Sequence, residues 1–127
     1  MQRDDWYSAS RVPEQLARPE VLGRYAGERA LSRLGARKIT TRQAPVLFEA
    51  PMAGSLLGHF VSAVSGTSLY RKASFLVDSL GAQVFSAGVE IDELPLLPRA
   101  MGTTPFDDEG VATRNRSVVS DGVVQGY

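Results

Sequence analysis

Apolar positions along the chain repeat with two different periods. Between Pro19 and Leu34 the spacing is helical: Leu22, Ala26, Ala30 and Leu34 form a slowly drifting row, with Val21 and Tyr25 beside it. Pro19 suits a first helical position, Glu20 favours the positive end of the helix dipole, and Gly35 can supply a left-handed C-terminal cap. A second helix is expected over Met52–Ser65 and a third, irregular one over Leu69–Leu80, ended by Gly81. Short extended runs are expected at Asp5–Ala9, Val46–Phe48, Val84–Phe85 and Val89–Ile91. Pro13 and Pro19 bracket a turn or one helical turn, and Leu94–Pro98 reads as a rigid extended linker. Ser117–Val119 and Val123–Tyr127 flank "SDG", a hairpin signature in which Gly122 can take positive φ. Helices followed by strands make the fold class α+β.

The last strand ends the chain with no strand after it. These residues are therefore expected to be an internal segment of a longer fold, at best marginally stable and prone to associate when isolated. Charge marks a boundary. Residues 1–43 carry nine Lys/Arg against five Asp/Glu, and residues 44–127 carry five against nine. Net charge is zero and the pI is near 6.6, which gives no electrostatic case for nucleic acid. There is no cysteine, hence no disulfide or thiolate chemistry. No signal peptide and no apolar run of membrane-spanning length stands out, so the expected address is cytoplasmic, with no membrane partner.

The candidate chemistry lies on the second helix, "LLGHFVSAVSG" at Leu56–Gly66, which holds the one histidine, His59. Gly54, Gly58, Ser62 and Gly66 recur every fourth residue, a bare ridge that suggests a backbone packed closely upon it. Leu57, Val61 and Val64 would pack the opposite face, with His59 as an ordinary polar residue. The alternative is a metallopeptidase helix, which needs two histidines and an adjacent glutamate. One histidine without cysteine or a carboxylate at helical spacing does not make that set. The second candidate is Asp107, Asp108 and Glu109 before Gly110: either a solvated acidic turn or a loop that handles substrate.

Three stretches together carry a resemblance: "RPEVLGRYAGERALSRLGARK", "YRKASFLVDSLG" and "TTPFDDEGVATRNRSVVSDGVVQGY". With them the chain resembles the TldD/PmbA peptidase family, in its PmbA (TldE) branch, over essentially its whole length. The resemblance implies that residues 1–43 are the end of an α/β N-terminal domain. Residues 44–127 would be the beginning of a β-rich C-terminal peptidase-like domain, incomplete here. In the TldD branch the corresponding helix carries H-E-x-x-x-H. Here Gly58, His59 and Ala63 stand where the first histidine, the glutamate and the second histidine would be. The resemblance thus implies a degenerate motif, with no catalytic or metal-binding residue and no cofactor in this chain. Zinc would belong to a TldD-type partner, the pair forming a heterodimeric protease that cleaves unfolded peptides. Asp107, Asp108, Glu109 and Gly110 would line the chamber. An autonomous metallopeptidase, or a scaffold module without a part in proteolysis, are the alternatives.

Overall fold

A proline opens the first α-helix. Pro19 has no N–H to leave unpaired, and helix α1 (Pro19–Ser32) begins there. The computed structural model describes residues 1–127. Three helices and a three-stranded antiparallel sheet, order β1-β2-β3, make up its regular structure, as α+β patterning predicts. Contacts divide the chain into two compact units: Met1–Gln43 with Leu97–Thr103, and Ala44–Leu96 with Thr104–Tyr127.

In the first unit, the row Leu22, Ala26, Ala30 turns inward together with Arg29. The N-terminal segment lies against it through side-chain contacts. Trp6 meets Tyr25 edge-on at 4.7 Å between ring centroids, and the Arg29 guanidinium sits 4.7 Å above the Trp6 ring. Asp4 holds that guanidinium at 3.1 Å and Arg33 at 2.9 Å. A single 3-10 turn, Pro13–Gln15, fills the space between the two prolines as expected. Asp5–Ala9 is extended without a strand partner, so it forms no strand. Gly35 has φ +72°, the left-handed conformation expected just past the helix. Turns fall at residues 95–96 and 98–99, and Arg99 has φ +62°; the expected rigid linker over Leu94–Pro98 is instead bent.

The second unit is built on helix α2 (Ala50–Ala63), which starts two residues before the expected Met52 because Pro51 fits its first turn. Phe60 and Val64 are buried from it. Helix α3 (Gly66–Tyr70) follows at once, with the Ser65 hydroxyl accepting from the Ser68 N–H at 3.4 Å. The expected helix over Leu69–Leu80 does not form. Lys72 turns left-handed at φ +53°, Lys72 N–H donates to Leu69 C=O and Ala73 N–H to Ser68 C=O. Those two bonds close the helix end in the pattern usually left to glycine. The chain then runs in turns to Gly81, with Leu76 buried on the way.

Strand β1 (Ile91–Glu93) pairs with β2 (Arg116–Ser120), which pairs with β3 (Val123–Val124). β1 begins where the run Val89–Ile91 was expected to end, and its ladder is irregular between Ile91 and Asp92. Val84–Phe85 forms no strand, but Gln83 makes a single bridge to Val123. Gly81 N–H donates to Val124 C=O and Val124 N–H to Ala82 C=O, so the last strand has a neighbour on both sides. The free edge of the sheet is β1, not the hairpin's second strand. Val46–Phe48 finds no strand to pair with and stays exposed. The core joins Phe60, Val64, Leu76 and Val119, with Phe85 edge-on to Phe60 at 5.0 Å.

The hairpin turn holds the unit's non-local contacts together. Asp121 and Gly122 take φ +49° and +79°, the two-residue turn whose twist matches the strands. The Asp121 carboxylate accepts from Gly88 N–H at 2.6 Å, and its own N–H donates to the Glu90 carboxylate at 2.8 Å. Gly122 C=O accepts from both Val84 and Phe85, while its N–H donates to Val89 C=O. No helix of this chain is long and apolar enough to cross a membrane.

Candidate functional site

Helix α2 carries the first predicted site residues. Gly58 and His59 are exposed, whereas Ala63 is half-buried and packs against the core cluster. The glycine ridge is not a packing ridge within these residues. A Cβ built on Gly54, Gly58 or Gly66 would meet no atom within 4 Å. No backbone of these residues packs on that face. The opposite face behaves as expected only in part: Val64 is buried, but Leu57 and Val61 are 45% and 55% exposed.

The acidic loop is closed by its own first carboxylate. Asp107 accepts from Glu109 N–H at 3.0 Å and from Val111 N–H at 2.8 Å, through the same oxygen. Its backbone N–H donates to Val111 C=O, and Gly110, at φ +80°, donates to Asp107 C=O. Phe106 and Ala112 bridge at the base. Asp107 is thus a loop staple, and this leaves Asp108 and Glu109 as the exposed carboxylates free of that duty.

Sequence reasoning missed a cavity of about 610 Å³ beside α2. Leu57, Phe60, Val61 and Val64 form one wall, and Ile91 and Val118 another. Its polar rim holds Asp92 and the pair Arg116–Glu93, in contact at 2.5 Å. Arg116 also donates to the Tyr127 carbonyl, and the Tyr127 hydroxyl to Leu76 C=O at 3.3 Å. The helical spacing of residues 57, 60, 61 and 64 signalled an apolar stripe, but nothing in the sequence shows that only half of it is covered. Neither His59 nor residues 107–110 line this cavity.

No group of three or more His, Cys, Asp or Glu residues converges so as to hold a metal ion. One exposed imidazole with no carboxylate or thiolate beside it does not fit a catalytic zinc, which needs three protein ligands.

Comparison with known proteins gives this geometry a family. The chain is 42% identical over 127 residues to a metalloprotease PmbA homolog of Buchnera aphidicola, covering all of this chain and 28% of that protein. It is 44% identical over 124 residues to metalloprotease PmbA of Escherichia coli O157:H7, covering 98% of this chain and again 28% of the relative. A solved Thermotoga maritima protein, described as a candidate modulator of a DNA gyrase, superposes with TM-score 0.89 at 36% identity. That match covers 98% of this chain and 29% of the other. The chain thus spans a little over a quarter of the length of the relatives it matches. Residues 41–127 match the family model of the PmbA/TldA metallopeptidase C-terminal domain, and the chain belongs to that metallopeptidase family as a stretch of a PmbA protein.

Proposed function

We propose that the protein to which this chain belongs is the non-catalytic subunit of a cytoplasmic TldD/TldE-type protease acting on unfolded peptides. The observation that carries the reading is the chemistry of α2. A zinc helix of this family's TldD branch must present two imidazoles and a carboxylate, and α2 presents Gly58, His59 and Ala63 instead. Zinc and the general base then come from a TldD-type partner. The residues of this chain would contribute surface: Asp108 and Glu109, on a loop closed by Asp107, would meet a peptide or the partner. Residues 1–43 and 44–127 would then lie on either side of the junction between the N- and C-terminal domains.

Metal content of the full-length protein tests this directly. Purified alone, it should hold far less than one zinc per chain and cleave no unfolded peptide. Mixed with the TldD-type subunit, it should raise cleavage above that of the partner alone. Stoichiometric zinc with activity in isolation would establish an autonomous metallopeptidase, which the relatives' metalloprotease names favour. No gain on mixing would leave a scaffold role without proteolysis.

A further inference from the structure

The apolar stripe of α2 is half covered. Phe60 and Val64 are each only 7% exposed, while Leu57 and Val61, on the same face, are 45% and 55% exposed and form a wall of the cavity. Ile91 and Val118 continue that apolar lining across the sheet. The rim offers a small polar ligand little to hold: Arg116 is already bound to Glu93 and to the Tyr127 carbonyl, and Asp92 is the one charged side chain of the rim outside that cluster. A ligand pocket keeps a few polar groups free to orient its guest.

Surface area points the same way. The 127 residues expose 10630 Å², against about 6,600 Å² for a folded monomer of this mass. Counting the two units as separate bodies raises the expectation only to roughly 7,900 Å². Relatives carry more than twice as much further chain as is present here. A segment of the same polypeptide competes for this surface at an effective concentration of order millimolar, which a separate molecule at cellular concentration does not reach.

We propose that the cavity and the outer half of the α2 stripe are an internal interface, occupied by an apolar segment of the same polypeptide from outside these 127 residues. The occupant is neither a second copy, nor the partner subunit, nor a small ligand.

The test uses the full-length protein, carrying Val61→Cys with any cysteine elsewhere replaced by serine. Thiol labelling is followed in native buffer and in denaturant, at low and high protein concentration, with and without the TldD-type subunit. The proposal expects labelling roughly a hundredfold slower in the native protein, at every concentration and without the partner. Labelling within a few-fold of the denatured rate would overturn it, since the groove would then be open in the whole protein. Protection that appears only at high concentration or only with the partner would also overturn it, in favour of a second copy or the other subunit. As a second readout, Val61→Arg should lower the Tm of the full-length monomer by several degrees; an unchanged Tm would count against the proposal.

Discussion

At Gly122 two requirements meet in one residue. Its φ of +79° is left-handed, and an added Cβ would lie 2.4 Å from the Phe85 carbonyl oxygen and 2.6 Å from that of Ser86. Both obstacles are backbone, which cannot swing aside. Gly122→Ala should therefore destabilise the full-length protein by about 3 kcal/mol or more, read from denaturant melts. Gly58 gives the opposite result for the same substitution. It lies in the middle of α2 with open space beside it, so Gly58→Ala should be neutral or stabilise by up to about 1 kcal/mol. A loss at Gly58 comparable to that at Gly122 would show that the bare ridge is covered in the whole protein. The two glycines also mark what the sequence can show. "SDG" between two apolar runs announces positive φ locally, so Gly122 was legible. Spacing by four announces a bare ridge at Gly54, Gly58 and Gly66 but not what lies against it, and none of these 127 residues does.

Elements specified by short-range signals were read well; elements that depend on a distant neighbour were not. α1 follows from its proline start and apolar row, and α2 from its apolar row, its start at Ala50 lying two residues before the expected Met52. Val46–Phe48 and Val84–Phe85 have strand composition yet form no strand, because pairing is a property of two segments: the first has no partner, and the second meets the hairpin only at the turn, where Val84 and Phe85 share the Gly122 carbonyl. α3 stops at Lys72 through a backbone pattern that glycine would have advertised and lysine hides. The same contrast applies to the acidic loop, whose three carboxylates look alike in sequence. Asp107→Ala removes the acceptor of two backbone N–H groups and should cost about 1–3 kcal/mol. Asp108→Asn and Glu109→Gln should stay within about 0.5 kcal/mol in the same melts. Any effect of those two on peptide cleavage would then report function rather than folding. The N-terminal segment rests on α1 through Asp4, whose carboxyl lies below the ordinary aspartate value of 3.8. The Asp5 N–H at 2.9 Å is the main cause, with Arg29 and Arg33 adding to it. A lowered carboxyl contributes stability that is present above the unfolded value and lost as pH falls through the lower folded one. Trp6, the one tryptophan of these residues, should report detachment as a red-shifted emission below about pH 4. In Asp4→Asn that acid transition should disappear, the segment being loosened already at neutral pH.

For the molecule as a whole, the charge reversal near Gln43 and the division of contacts between Gln43 and Ala44 fall at the same place. The exception is Leu97–Thr103, which goes with the first unit although the second lies on both sides of it in sequence. Within that unit Arg11 donates to the Thr103 carbonyl at 3.2 Å, a bond across 92 residues of chain. The family-matched stretch 41–127 accordingly contains residues of both units. Interleaving of this kind governs how the gene can be recombined. A single crossover at codon 43 would import a new second half and, with it, a foreign version of the seven residues on which the first unit closes. Exchange of either unit intact requires three junctions, after residues 43, 96 and 103. The two halves are therefore tied together in inheritance, since the codons for Leu97–Thr103, which complete the first unit, lie within the stretch that encodes the second.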